Sequence, residues 1–544
     1  MRFFNTAGPV DNKKHYCLSP LDRFNLPEIL SLIDQEKYFI LHAPRQTGKT
    51  TCMLALSDYL NQSGGYVCLY VNVESAQTAR EDVAQGMRAI LNSLSERARI
   101  DIKDEWIQNH WPDILVRSGG NDALNTVLTR WVETLSKPLV LLLDEIDALV
   151  GDTLISVLRQ LRSGYTHRPA HFPQTVILCG VRDIRDYRIH SARDKEIITG
   201  GSAFNIKAKS LRLGNFIETE VHELLKQHTE ETGQEFEPEA VNRIWDYSRG
   251  QPWLVNALAY EVCFEIEFGQ DHHNAITSDM VRDARERLIE RRETHLDQLV
   301  DKLKEDRVRR VIAPILESRM TEAEFHFEDV QYVLDLGLIT RQPNGALEVS
   351  NPIYQEIIPR ELTWGLQSGI YQETRWYVEA DGRLNLTKLL SAFQEFFREH
   401  SEHWIERFDY KEAGPQLLMQ AFLQRIVNGG GRVEREYGLG RMRTDLLIVW
   451  PVKVGCQRSD VRGQMPEVGC RVVQKSVIEL KILYKSLEKT IADGLAQTWE
   501  YVDRCGAEAA HLVIFDRRPD IRWEQKLFCR EEAWQGRSIT VWGM

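Results

Sequence analysis

The stretch that most constrains this chain is YFILHAPRQTGKTT, at residues 38–51. An apolar run, Tyr38, Phe39, Ile40 and Leu41, ends at a small-residue turn. Gly48, Lys49 and Thr50 follow, and the composition of 52–56 suits a helix. Strand, loop and helix in that order form the setting a phosphate-binding P-loop requires. Backbone N–H groups of such a loop, with the helix N-terminus behind them, surround a polyphosphate. On this reading Ala43, Pro44, Arg45, Gln46, Thr47, Gly48, Lys49, Thr50 and Thr51 cradle ATP or ADP. Lys49 reaches the β- and γ-phosphates and Thr50 holds Mg²⁺. The position where such motifs usually begin with glycine is Ala43, which keeps the loop tight but accepts a positive φ less readily. A chance GKT in a loop is the bland alternative, and the flanking strand and helix weigh against it.

A second motif lies about a hundred residues on. In LVLLLDEIDAL, at 139–149, five apolar residues read as a buried strand with Asp144 and Glu145 at its carboxyl end. Open α/β sheets bind ligands beyond the carboxyl ends of their strands. Asp144 is therefore a candidate to hold Mg²⁺ through water, and Glu145 a candidate general base for the attacking water. The alternative is a strand ending in a solvated acidic turn. YVCLYVNV (66–73), QTVILCG (174–180) and FNIKAKSLRL (204–213) read as further strands, and the strand–helix alternation predicts a parallel, doubly wound sheet. Arg182, just past the QTVILCG strand, is placed to sense a γ-phosphate or to pair with an aspartate such as Asp183. The segment DEWIQNHWPD reads as irregular, and a helix is expected from Asp122 to Leu135. Residues 1–25 read as a strap. Within it His15 and Tyr16 either flank a base or, more simply, pack.

From Asn215 the pattern turns helical, and Gly233 and Gly250 read as helix stops. The P-loop, Asp144–Glu145, Arg182 and a helical region containing Gly250, Gln251 and Pro252 together resemble AAA+ ATPases. Gly180, Arg182, Asp183 and Pro252 lean toward the STAND branch and its bacterial AAA-like relatives. The resemblance covers about residues 1–295. It implies an ATPase core at 1–214 and a helical lid at 215–296 that closes on ATP, with Pro252 among the nucleotide contacts, and it allows a homo-oligomer. Residues 297–364 resemble a winged helix, with Asn344-Gly345 as the hairpin turn. Their acidic content favours packing over DNA contact. A connector at 365–410 carries an amphipathic helix from Leu384 to Ile405, whose Phe393, Phe396, Phe397 and Trp404 read as core.

A different chemistry is spelled out in residues 411–544. The helix PQLLMQAFLQRIV stops at a glycine run. RVEREYGLGRMRTDLLIVW reads as two strands, with Asp445 opening the second. After a hairpin-like insertion at 452–474, KSVIELKIL carries Glu479 and Lys481, which share a strand face at i and i+2. A helix with Gln497 and Tyr501 follows, then the strand HLVIFD. Two carboxylates suit Mg²⁺ or Mn²⁺, and Lys481 would stabilise charge near a scissile phosphate. The order D…ExK with a trailing QxxxY resembles the PD-(D/E)XK nuclease superfamily over about 411–520. That resemblance implies Asp445 and Glu479 as metal ligands, Lys481 as catalytic lysine and Gln497 as an accessory catalytic residue, with Glu412 a weaker candidate.

Charge and cysteines bound the rest. The formal net charge of −12 argues against a chain that coats nucleic acid uniformly. The C-terminal block nevertheless carries a small excess of Lys and Arg, compatible with a surface that faces DNA. The 9 cysteines contain no CxxC pair, which argues for reduced thiols in a cytoplasm. Cys456 and Cys470 read as two free thiols rather than a bridge. The start of the chain lacks the apolar core of a signal peptide, and no uncharged apolar run is long enough to span a bilayer. The expected protein is a multidomain α/β ATPase that regulates or positions a metal-dependent nuclease acting on DNA, in the manner of defence against foreign DNA. Its rival is a nucleotide-dependent STAND-type switch or scaffold whose nuclease-like domain binds without cutting.

Overall fold

The computed structural model describes residues 1–183, 188–190, 197–199, 203–291, 294–316, 326–362, 376–407, 419, 422–423, 431–439, 442–453, 471–483, 486–516, 518 and 521–544. The chain divides into two compact units, Met1–Val311 with Thr321–Gln355, and Ile312–Met320 with Glu356–Met544. Among the described residues no helix is long and apolar enough to cross a membrane. Cys17, Cys52, Cys68, Cys179, Cys263, Cys505 and Cys529 are free thiols. Cys456, Cys470, Glu412 and the middle of the 452–474 insertion lie outside the described residues.

The first unit is built on five parallel strands: β1 (Tyr38–His42), β2 (Val67–Asn72), β3 (Leu139–Asp144), β4 (Thr175–Gly180) and β5 (Lys207–Arg212). They lie in the order β2-β3-β4-β1-β5. The near-continuous apolar runs of β1 to β4 follow from burial on both faces, whereas β5, KAKSLR at the sheet edge, is polar and largely uncovered. Tyr38 and Ile40 point to one core with Leu141, Leu143 and Leu178, whereas Phe39 and Leu41 point to another with Leu142, Ile177 and Cys179. Helix α1 (Lys49–Ser63) follows β1 directly and buries Cys52, Met53, Leu56 and Leu60 in the second core. The segment expected to be irregular is in fact the helix Trp106–Ser118, with Pro112 inside it. Ile107 and Ile114 fall on one side of this helix and enter the core. That burial, together with the stacked Trp106 and His110 rings, offsets the one backbone donor that proline removes. The expected helix from Asp122 is shorter than its apolar pattern suggests and spans Ala123–Val132.

Helices α2 (Glu218–Thr232), α3 (Pro238–Ser248), α4 (Pro252–Tyr260) and α5 (Ser278–Arg291) follow the sheet. Between α3 and α4 the chain turns at Gly250, φ 71°. A Cβ there would collide with the Phe216 carbonyl, and Phe216 N–H donates to the Gly250 carbonyl at 2.8 Å. Gly250→Ala is therefore expected to lower the urea midpoint of this unit, with at least about 1–3 kcal/mol lost to left-handed backbone strain alone. An unchanged midpoint would mean that the turn relaxes at no cost. Further along, helix α6 (Phe327–Asp335) leads into the hairpin β6 (Ile339–Arg341) and β7 (Leu347–Val349), which turns at Gly345, φ 87°.

The second unit holds helix α7 (Leu386–Arg407) and a mixed six-stranded sheet: β8 (Arg432–Leu439), β9 (Met442–Lys453), β10 (Arg471–Ile482), β11 (Ala509–Phe515), β12 (Phe528–Trp534) and β13 (Arg537–Gly543). The order is β8-β9-β10-β11-β13-β12. Helix α8 (Leu487–Cys505) crosses between β10 and β11, which run parallel. Alternation sorts the faces. Leu446, Ile448, Ile478 and Leu480 pack with Phe393 and Phe397 of α7. Leu447, Val449, Val477 and Leu512 pack with Ile491, Leu495 and Val502 of α8.

Candidate nucleotide site

The loop between β1 and α1 curls back on itself. Lys49 is buried, and its Nζ donates to the carbonyls of Ala43 and Pro44, each at 2.9 Å. The Thr47 hydroxyl donates to the Pro44 carbonyl at 2.8 Å. Left-handed backbone falls at Gln46 (φ 56°) and Gly48 (φ 91°) and not at Ala43, so the missing first glycine introduces no strain. Ala43 N–H instead donates to the Gly180 carbonyl at 3.2 Å, which ties the loop to the end of β4. Arg45 and Gln46 are exposed, and the Thr51 hydroxyl accepts from Val10 N–H at 3.1 Å.

Asp144 closes the arrangement. Its side chain is fully buried at the end of β3. Oδ2 accepts from the Thr50 hydroxyl at 2.8 Å and from the Tyr70 hydroxyl at 2.9 Å, while Oδ1 accepts from Glu145 N–H at 2.9 Å. Two motifs 94 residues apart thus meet through one hydrogen bond. Glu145 follows in a left-handed conformation, φ 58°. Burial raises its carboxyl pKa, the neighbouring Asp144 charge raises it further, and Lys49 pulls it back. Arg182 lies over the Tyr332 ring of α6, with 5.0 Å to the centroid, and Arg307 lies over the same ring at 3.3 Å. Asp183, offered from sequence as a partner for Arg182, is held by Lys207 Nζ at 2.7 Å and by the Ser210 hydroxyl at 2.6 Å.

An apolar pocket opens beside α1. The N-terminal segment contributes Val10, the segment before α2 contributes Phe216, the start of α4 contributes Pro252 and Trp253, and α1 and its loop contribute Gly48 and Thr51. Pro252 is the first residue of α4, whose N-cap Gln251 accepts from Leu254 N–H at 2.6 Å. Trp253 Nε1 donates to the Thr6 carbonyl at 2.8 Å. Tyr16 lines this pocket but is itself buried, sharing a hydrogen bond with His228 at 3.2 Å, and His15 Nδ1 accepts from Asp11 N–H at 2.9 Å.

Sequence reasoning missed three participants. Arg23 donates to the carbonyls of Thr47 at 2.6 Å and Gly214 at 2.7 Å, bracing the loop against the segment that leads from β5 to α2. Nothing in a lone strap arginine signals this. Tyr70 looked like one more apolar strand residue. Asp147 stood in plain view as the third acid of DEID, and its contact with Val181 N–H appears only when β4 is laid beside β3.

In the second unit, Lys481 Nζ meets Glu479 Oε1 at 2.7 Å, and Glu479 is almost completely buried. Both share the strand face of Val477, the face that α8 covers. Gln497 is a half-buried residue of α8. The β9–β10 ladder ends at the pair Leu446 and Ile478, and Asp445 and Glu479 are the next residues on their strands. The Asp445 side chain lies outside the described residues, although its strand position is described.

Comparison with known proteins bears on the first unit. No curated protein matches the chain in sequence. Among solved structures, the Walker-type ATPase PABY2304 of Pyrococcus abyssi is similar at 10% identity and a TM-score of 0.44, over 65% of this chain and 99% of that one. Cdc6p of Pyrobaculum aerophilum is similar at 14% identity and 0.36, over 66% and 99%. RuvB of Thermotoga maritima, a Holliday junction branch migration motor, is similar at 15% identity and 0.32, over 61% and 95%. Residues 29–358 match the family described as the AAA-like domain. With more than half of its length matched in this way, the chain belongs to the AAA-like domain family.

Proposed function

We propose that this protein binds and hydrolyses ATP and that its nucleotide state governs a metal-dependent nuclease in residues 411–544 that acts on DNA. The observation that carries the nucleotide half is the Thr50–Asp144 hydrogen bond, with Lys49 and Glu145 beside it. A hydroxyl and a carboxylate are hard oxygen donors and fit Mg²⁺. Thr50 and Asp144 would hold that ion, which when bound neutralises charge on the phosphate oxygens. Lys49 exchanges loop carbonyls for β- and γ-phosphate oxygens, and Glu145 accepts a proton from the attacking water. The pocket lined by Val10, Phe216, Pro252 and Trp253 suits a purine base. The test is Lys49→Ala, expected to weaken ATP binding by at least about tenfold, since a charge-assisted contact to phosphate is worth more than ~1.4 kcal/mol. Wild-type affinity by calorimetry would remove the assignment.

Support for the nuclease half is the helix-covered strand bearing Glu479 and Lys481, with Asp445 next in line where the neighbouring strand parts from it. Among the described residues no three His, Cys, Asp or Glu side chains converge. The metal pair is therefore proposed from strand position, with Asp445 and Glu479 as ligands and Lys481 and Gln497 beside them. One observation favours the switch reading. The Glu479 carboxylate is already engaged by Lys481 and shut away from solvent. A cutting assay with plasmid, linear duplex and single strands, with and without ATP and Mg²⁺, separates the two.

A further inference from the structure

We propose that Asp147 is a positioning residue that locks Arg182 at the γ-phosphate end of the nucleotide site. The inference rests on the nucleotide reading above and deepens it. Two turns leave the carboxyl ends of adjacent parallel strands, β3 and β4. The first carries Glu145 and then a short turn of helix, Ile146–Ala148; the second carries Val181 and Arg182. Asp147 spans them. Its Oδ2 accepts from Val181 N–H, the backbone donor immediately before Arg182. Gly180 belongs to the same contact, because a Cβ there would strike the Asp147 carboxylate and the Ile146 side chain. Only a residue without a side chain lets the two turns approach this closely.

Charge points the same way. Burial raises the Asp147 carboxyl pKa, against the Val181 N–H bond and the charges of Arg182, Lys49 and Arg45, which all lower it. Two cations of the loop, Arg45 and Lys49, and Arg182 from beyond β4 therefore share this carboxylate as a neighbour. The Arg182 guanidinium lies over the Tyr332 ring, whose hydroxyl donates to Glu305 at 2.9 Å. Asp147 fixes the backbone from which Arg182 springs and so sets the spacing between Arg182 and Glu145. A general base and a charge sensor act on one phosphoryl group only if that spacing holds.

The experiment compares Asp147→Ala, Asp147→Asn, Arg182→Ala and the double variant Asp147→Ala with Arg182→Ala. Calorimetry gives ATP and ADP affinities and single-turnover assays give hydrolysis. Asp147→Ala is expected to slow turnover by about 10–100-fold, the scale of a misplaced reacting group. It should also erase any preference for ATP over ADP, as Arg182→Ala is expected to do, while ADP affinity stays within about twofold as the check on folding. Because the two residues act as one unit, the double variant should be no worse than the poorer single. Asp147→Asn keeps an oxygen for Val181 N–H and should recover most of the loss. If the alanine variant fails the folding check, Asp147→Glu, which keeps the charge but moves the carboxylate by one methylene, takes its place and should show the same loss and the same coupling to Arg182. Additive effects, equal loss of ATP and ADP affinity, or wild-type behaviour in Asp147→Ala would overturn this inference alone. Wild-type protein that binds neither nucleotide would overturn the nucleotide reading and this inference with it.

Discussion

Glu145→Gln is expected to bind ATP as the wild type does and to lose turnover by about two to four orders of magnitude, the range for removing a general base. Glutamine preserves the shape of the side chain and one hydrogen-bonding oxygen, so the left-handed turn after β3 should survive. What it cannot do is take a proton. The environment favours this role. Burial and the Asp144 charge beside it both disfavour the ionised form, which makes the carboxylate a stronger base than an exposed glutamate. The sign for pH follows. The working form is deprotonated and its pKa is raised, so turnover should fall as pH drops through that raised value, starting at higher pH than for an ordinary carboxyl. A pH–rate profile of the wild type beside the Gln variant measures both effects. Undiminished turnover in Glu145→Gln would mean that another group activates the water.

How much of this was legible in the sequence depends on the range of the interaction. Four of the five parallel strands of the first unit were readable because burial on both faces leaves apolar runs too plain to miss; the edge strand β5, KAKSLR, was placed by the alternation of strands and helices instead. The P-loop was readable because its chemistry is confined to consecutive residues. The Thr50–Asp144 contact required only that two recognisable motifs end at the carboxyl edge of one sheet, on strands separated by β4 alone. Arg23 and Tyr70 were not legible, since each acts through a partner far along the chain and neither has a distinctive neighbour in sequence. The helix Trp106–Ser118 was hidden by Pro112, whose local cost is offset by Ile107 and Ile114 in the core. In the second unit the pairing of β12 with β13, and of β13 with β11, was not anticipated. The polar residues of an edge strand such as β12 carry little hydrophobic signal.

The second large effect concerns Glu479. Glu479→Gln is expected to reduce cutting by at least about a thousandfold, because a carboxylate that holds a catalytic cation supplies several kcal/mol of transition-state charge stabilisation. ATP turnover should change by less than about twofold, since sites without shared partners act independently. The nucleotide site and Glu479 fall in different compact units. DNA affinity should hold or rise, because removing a negative charge lessens repulsion of phosphate. Lys481 makes the expectation sharper. Its ammonium meets Oε1 of the Glu479 carboxylate at 2.7 Å. A cation that took the carboxylate would release Lys481 toward a scissile phosphate, so Lys481→Ala should also abolish cutting yet leave metal binding in place. Under the switch reading the pair is structural. Breaking it from either side would then leave an unpaired charge against α8 and lower stability, at a cost of about 3–5 kcal/mol for a buried pair, with no cutting to lose. Cutting and unfolding assays on Glu479→Gln, Lys481→Ala and the wild type, each with Mg²⁺ or Mn²⁺, discriminate the two. Retained cutting in either variant would sink the nuclease assignment. Lost cutting with an unchanged unfolding midpoint would leave catalysis as the reason this carboxylate is buried beside a lysine.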